Sequence, residues 1–487
     1  MLSNKEINFK EITRALGALV IIESLFMLLG IPFTLYYHDN DLLSILYSSL
    51  ITGSVGFILV LLAGKKKRKH VGKREAYIIV SLAWVIISLF GTLPFLLSGT
   101  ITSFTDAFFE TMSGFTTTGS SVLNDIEAVS KGVLFWRSMT HWIGGMGIIV
   151  LTLAIMPLLG VGGIQLFAAE VPGPEPDKLH PTITGTAKRL WLIYVTLTFA
   201  ETILLIFGGM SLFDALCHAF GTMATGGFST QNNSIAGYGP YIQYVIIFFM
   251  FLAGVNFSLH YFFSHAKWKK VFNNEEFRFY SFLIFSSALF ITILIYSFQG
   301  SDLEVTFRNS LFQVVSIVTT TGFVSDNYLV WPSFAWFVIF LLMFTGGSAG
   351  STGGGIKAMR LLLLFKTAST QLKKLVHPRA FIPVKYNGKS IKDDIIFSIM
   401  AFFLFYAIIF AMGTFIMSAL GLDFKTAIGA TISSLGNIGP GIGKVGPVDN
   451  FASIPAFGKW VLSFLMLLGR LELFTILVFL SPGFWKK

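Results

Sequence analysis

"FTDAFFETMSGFTTTGS", Phe104 to Ser120, begins as an apolar helix and ends in threonine and glycine. The same frame returns as "LFDALCHAFGTMATGGF" (Leu212–Phe228), "FRNSLFQVVSIVTTTGF" (Phe307–Phe323) and "FKTAIGATISSLGNIGP" (Phe424–Pro440). In each, an apolar lead residue is followed fifteen positions later by glycine: Phe104 by Gly119, Leu212 by Gly227, Phe307 by Gly322 and Phe424 by Gly439. Two residues after each lead stands Asp106, Asp214, Asn309 or Thr426, residue types that cap helix N-termini. Each frame therefore predicts a capped helix of about ten or eleven residues running into a Thr/Gly-rich loop. At 1.5 Å per residue it falls far short of a hydrocarbon core about 30 Å thick, so it enters and returns. One such frame would read as an outer turn. Four at identical spacing read as re-entrant loops, and irregular backbone at membrane depth is tolerated only around a cavity or inside protein.

Composition agrees with that environment. The 487 residues are 54% hydrophobic and 12% charged, with 52 phenylalanines, where soluble domains carry about 25% charged residues. Ten stretches are candidate spans: Ala15–Tyr37, Leu42–Ala63, Ala76–Leu97, Val133–Leu159, Leu190–Gly209, Tyr241–Phe263, Phe279–Phe298, the interrupted Phe334–Phe365, Ile395–Leu420 and Trp460–Leu480. The first is too long for a signal-peptide core and lacks a cleavage pattern, so it is expected to stay in the mature protein. Basic residues gather in alternate loops, with seven in Lys65–Arg74, three in Lys178–Arg189, four in Lys267–Arg278 and seven in Lys366–Lys392. That alternation predicts cytoplasmic termini and an even number of spans. It also explains the net charge of +10 and the run "KKKRK" as topology signals rather than a nucleic-acid surface. The single cysteine, Cys217, excludes a disulfide framework. No HExxH or clustered carboxylates at ligand spacing occur, so no enzyme is expected.

The recurring glycines suggest a chemistry. A ring of inward-turned backbone carbonyls replaces the water of a dehydrating potassium ion, and turning them requires angles that glycine adopts at little cost. Gly119, Gly227, Gly322 and Gly439 supply that freedom; Thr117 and Thr118, Thr225 and Gly226, Thr320 and Thr321, and Asn437 and Ile438 supply neighbouring carbonyls. The C-terminal dipole ends of the short helices favour a cation at the same place. Nine residues before each glycine stand Glu110, His218, Gln313 and Ala430. The first three are hydrogen-bonding supports behind the loops, or else solvated outer residues.

A second signal is "TGGSAGSTGGGIK", Thr345–Lys357, inside the eighth span. Its six glycines, Gly346, Gly347, Gly350, Gly353, Gly354 and Gly355, each cost about 1 kcal/mol against alanine, so the helix is expected to break. Packing of a GxxxG type needs small residues on one face only. A phosphate loop is excluded, because Ile356 separates Gly355 from Lys357. Arg470, in "LLGRLELF" near the middle of the last span, costs at least ~2.5 kcal/mol there unless paired or hydrated. Glu472 is too close in sequence to face it. Carbonyls of the glycine loop are the expected partners, giving a positive barrier to cations, with a structural brace as the other reading. Glu23 and Glu201 read as members of packing networks, and Arg137 and His141 as snorkelling residues near an outer helix end.

Four pore-loop units with "TTTGS", "TGGF", "TTTGF" and "NIGPG" at the corners, preceded by two extra helices, resemble the Trk-type (TrkH) potassium uptake proteins of the Trk/Ktr/HKT superfamily. The resemblance covers essentially the whole chain. It implies an all-α polytopic fold: a two-helix addition (1–65) and four helix–pore-loop–helix units (66–165, 166–266, 267–370 and 371–487) around a central pore. It further implies potassium as substrate with no covalently bound cofactor, a homodimer with one pore per protomer, a cytosolic nucleotide-binding (TrkA-like) subunit, and the bacterial inner membrane. The glycine stretch would be an intramembrane gating loop, with Lys357 and Arg470 beside it. Glycine at all four corners matches potassium-selective members, whereas sodium-permeable relatives often have serine at the first. The Ktr type, a sodium-coupled alternative, lacks the two leading helices. A secondary carrier with a midplane site is the remaining reading, and four short units weigh against it.

Overall fold

The computed structural model describes residues 7–64, 72–159, 183–300 and 302–485. "KKKRK" and Lys178 lie outside them. The described chain is helical apart from one two-stranded hairpin, Lys385–Tyr386 with Lys389–Ser390. Among the described residues six helices are long and apolar enough to cross a membrane, and up to eight spans result if each sharply bent pair is one. Large side chains such as Phe207, Phe282, Phe298 and Phe415 are exposed on their outer faces, as suits helices with lipid for solvent. The N-terminal pair, Phe9–Tyr37 and Leu42–Leu62, packs at close range. A Cβ on Gly17 would lie 2.8 Å from the Gly56 carbonyl oxygen, and one on Gly56 would lie 2.9 Å from that of Gly17.

The four short helices are Phe104–Phe115, Leu212–Met223, Leu303–Val318 and Phe424–Gly436, with 12, 12, 16 and 13 residues. All are longer than the sequence suggested, because the caps sit further upstream. Ser103, Ser211, Asp302 and Asp423 accept the first-turn N–H groups. Asp106 and Asp214 instead occupy the third helical position, where their charge favours the N-terminal dipole. Ser211 both accepts from the Asp214 N–H and donates to its carboxylate at 2.7 Å.

The helices that follow the loops depart most from expectation. Only the first, Lys131–Leu159, is unbroken. The second is Pro240–Ala253 followed by Phe257–Ser264, bent by 102°, and the fourth is Ala456–Arg470 followed by Phe474–Leu480, bent by 105°. The expected continuous spans Tyr241–Phe263 and Trp460–Leu480 are therefore both interrupted. Asn256 restarts the second helix by accepting the Ser258 N–H. At the fourth break Glu472 (φ 55°) and Leu473 (φ 34°) are left-handed, a costly conformation for such residues. Arg470 thus ends a half-span instead of lying within one. In the third unit Ser333–Leu342 and Ala358–Val376 are separated by the glycine stretch, as expected.

Candidate ion pathway

The glycine loops meet around one axis. A Cβ on Gly119 would lie 2.2 Å from the Gly226 carbonyl oxygen, and one on Gly227 would lie 2.1 Å from that of Thr321. On Gly322 it would lie 1.9 Å from the Ile438 carbonyl oxygen, and on Gly439 2.8 Å from that of Thr118. Each loop abuts the next, and the fourth returns to the first. All four glycines have positive φ, from 75° to 102°. Two residues earlier Thr117, Thr225, Thr320 and Asn437 are also left-handed, with φ of 53° to 58°. The residues between them are not. Alternating the sign of φ turns successive carbonyls toward the same side, which an ordinary strand does not do.

Side chains fix these loops, and the Gly439 carbonyl itself accepts the hydroxyls of Ser433 and Ser120. The hydroxyls of Thr116 and Thr118 lie 2.8 Å apart, and those of Thr319 and Thr321 lie 2.7 Å apart. The Asn437 amide donates to the Thr118 hydroxyl at 3.0 Å and to the Met466 carbonyl at 2.8 Å, tying the fourth loop to the first. The expected supports are all fully buried rather than solvated. Glu110 accepts from the Val122 N–H and the Ser121 hydroxyl, His218 meets the Ser229 hydroxyl at 2.9 Å, and the Gln313 amide donates to the Asp326 carbonyl. Each braces the segment leaving its loop.

Two residues assigned to snorkelling belong to this bracing. Arg137, 2% exposed, donates to Glu110 at 2.7 Å and to the Ser229 carbonyl at 2.9 Å. Its guanidinium also lies 3.6 Å from the Phe228 ring centroid. It connects the first loop to the second. His141 stacks on Phe228 with centroids 4.0 Å apart, and its Nδ1 would meet a Cβ on Gly226 at 2.1 Å. That explains glycine at 226, where the first and third loops carry threonine. Breaking a buried ion pair by removing one partner costs about 3–5 kcal/mol. Glu110→Ala is therefore expected to lower the thermal unfolding temperature sharply, followed by tryptophan fluorescence in detergent. An unchanged temperature would show that the pair braces nothing.

The glycine stretch forms a pinched loop beneath the ring. Its ends are joined by a parallel bridge between Thr345 and Ile356, the Gly346 N–H donates to the Ile356 carbonyl, and the Ala358 N–H donates to that of Gly347. The Gly354 N–H donates to the Thr320 hydroxyl at 2.7 Å. A Cβ on Gly353 would lie 2.9 Å from the Thr319 carbonyl oxygen, and one on Gly354 2.8 Å from that of Gly436. The Ser348 N–H reaches the Gly254 carbonyl, and the Gly350 carbonyl receives the Phe257 N–H, so the loop is sewn to the break in the second unit. Gly350 and Gly355 have φ of 74° and 64°. Lys357, 5% exposed, donates to the Gly353 carbonyl.

Arg470 completes the set. It donates to the carbonyls of Thr352 (2.7 Å), Gly144 (2.6 Å) and Gly145 (2.8 Å) and to the Thr117 hydroxyl (3.1 Å). The expected glycine-loop carbonyl is among them. The contacts to the first unit were not foreseeable from local spacing. Glu472 pairs with Arg360, in agreement with its exclusion as the Arg470 partner. Among the described residues no group of three or more His, Cys, Asp or Glu side chains is arranged to hold a metal.

A family model described as TrkH, a cation transport protein, matches residues 48–487. The chain is 40% identical over 485 residues to the Trk system potassium uptake protein TrkH of Escherichia coli (strain K12), covering 99% of this chain and 100% of that one. It is 32% identical over 489 residues to the Trk system potassium uptake protein TrkG of the same strain, covering 98% of each. The crystal structure of the potassium transporter TrkH from Vibrio parahaemolyticus is similar, with a TM-score of 0.87 and 35% identity, over 98% of this chain and 99% of that one.

Proposed function

This chain belongs to the TrkH family of cation transport proteins, and from that premise we propose that it is the potassium-permeating subunit of an uptake system in the bacterial inner membrane. The observation that carries the proposal is the closed cycle of glycine–carbonyl contacts from Gly119 through Gly227 and Gly322 to Gly439. In it, Thr117, Thr118 and Gly119, Thr225, Gly226 and Gly227, Thr320, Thr321 and Gly322, and Asn437, Ile438 and Gly439 form a filter whose carbonyls replace potassium hydration. The half-helix C-termini add negative potential, and the buried Glu110–Arg137 pair keeps the ring from relaxing. The glycine loop, Lys357 and Arg470 form the gate below it, while the two N-terminal helices flank the first unit. Both termini face the cytoplasm. The decisive experiment is electrical recording of the purified protein in a planar bilayer under mixed potassium and sodium. Single-channel currents with a potassium reversal potential support the pore. Saturable coupled counterflow without such currents would make it a carrier.

A homodimer and a cytosolic nucleotide-binding subunit are part of the same proposal, resting mainly on family resemblance. The cytoplasmic connection after the glycine loop supports a docking place, because Lys373, Lys374, Arg379 and the apolar Leu375, Val376 and Phe381 are all exposed there. Neutralising the three basic residues is expected to weaken binding of the organism's own nucleotide-binding subunit, measured by pull-down at several salt concentrations. Full, nucleotide-independent flux from the reconstituted chain alone would remove the need for that partner. Binding unchanged by the neutralisation would place docking elsewhere.

A further inference from the structure

Glu276 stands in the first turn of Glu275–Gln299, where an acid ordinarily does no more than favour the helix dipole. Here it is 2% exposed and reaches three distant segments. One carboxylate oxygen accepts the Ala349 N–H at 2.6 Å and the Met359 N–H at 3.1 Å. Ala349 lies on the descending limb of the glycine loop, and Met359 follows its exit. A single oxygen therefore holds both limbs. The other oxygen accepts the Tyr386 hydroxyl at 3.3 Å.

Tyr386 belongs to the cytoplasmic hairpin, whose turn, Asn387 (φ 47°) and Gly388 (φ 76°), has the left-handed pair that suits a two-residue connection. The neighbouring Glu275 clasps that turn: its carboxylate accepts the Asn387 N–H at 2.9 Å and the Lys366 ammonium at 2.6 Å. Its own N–H donates to the Asn387 side chain. A buried apolar cluster of Ala349, Met359, Leu363, Val384 and Ile399 joins the same parts, independently of the polar bonds.

We infer that Glu276 is the positioning residue of the glycine loop and that the hairpin Lys385–Ser390 is the lever acting on it. The inference rests on the proposal that this loop is the gate. A carboxylate shielded from water holds amide N–H groups by charge-assisted bonds, which weaken once water competes for it. Seated, the hairpin covers Glu276 and fixes its second oxygen. Drawn away by a cytosolic force, it admits water to the carboxylate and loosens both limbs together. The force enters some distance from the pore and reaches the loop through one side chain.

The test combines potassium flux of the reconstituted full chain with residue-resolved hydrogen exchange at the Ala349 and Met359 amides. Glu276→Ala is expected to speed exchange at both amides and raise flux on the order of tenfold, with selectivity kept. Glu276→Gln retains an accepting oxygen and is expected to restore most of the protection. Tyr386→Phe removes only the link to the hairpin and is expected to give a smaller rise at the same two amides. It carries the test alone if Glu276→Ala does not fold. A variant lacking Gly350–Thr352 separates the two ideas. If it raises flux while Glu276→Ala and Tyr386→Phe match the wild type in exchange and flux, the lever is overturned and the gate stands. If it does not raise flux, the gate falls and the lever with it.

Discussion

A Gly322→Ser protein is expected to lose one to two orders of magnitude of its discrimination of potassium from sodium, a change of about 1.4–2.8 kcal/mol. The left-handed backbone there (φ 81°) costs a side chain about 1–2 kcal/mol before any contact is counted. The Cβ would then stand 1.9 Å from the Ile438 carbonyl oxygen. That neighbour is backbone belonging to the proposed filter, so relief must come from displacing a carbonyl of the next loop. The same geometry ranks the corners. Gly227 and Gly119, with approaches of 2.1 and 2.2 Å, are expected to behave like Gly322, and Gly439, at 2.8 Å, to be the most forgiving. Reversal potentials in mixed salts measure the effect. If Gly322→Ser and Gly227→Ser both kept the wild-type values, the carbonyl ring would not be the selectivity element.

The loops were legible because their requirement is local. At the four corners a positive φ coincides with a neighbouring carbonyl where a Cβ would stand, a combination that only glycine meets, and the fifteen-residue offset records it four times. The glycine stretch announced itself through a different local signal, the cost of six glycines in one helix. What escaped notice is held by partners far apart in sequence. Arg137 and His141 read as ordinary outer residues until Glu110, Ser229 and Phe228 are placed around them. Glu276 looks like a helix-start acid, and its role depends on amides 73 and 83 residues away. The break after Gly254 left one trace, Asn256 as a cap among apolar residues. The break after Arg470 left none, since Leu473 takes a conformation that leucine does not prefer and is held there by its surroundings.

Removing the Arg470 guanidinium is expected to raise potassium flux by about tenfold or more while keeping potassium preference, because its one contact to the ring residues is to the Thr117 hydroxyl and not to a ring carbonyl. Two effects add. A monovalent cation about 5 Å from the guanidinium, at an effective dielectric constant of about 20, is repelled by roughly 3 kcal/mol. In addition, Arg470 is the strut between the loop carbonyl of Thr352 and the carbonyls of Gly144 and Gly145, so its loss frees one side of the loop. Arg470→Lys separates the contributions, since lysine keeps the charge but cannot reproduce a fork spanning these groups. Flux near wild type in Arg470→Lys would assign the barrier to charge, whereas flux like that of Arg470→Ala would assign it to anchoring of the loop. Unpartnered carbonyls in the alanine variant carry a folding penalty of about 1–3 kcal/mol each if water does not reach them. Deletion of Gly350–Thr352 is therefore the companion experiment, leaving the arginine in place while shortening what it holds. Tracer uptake into liposomes, with protein quantity and monodispersity matched, reads both. Lower flux from both variants in folded form would mean that the loop and Arg470 support the pathway instead of closing it.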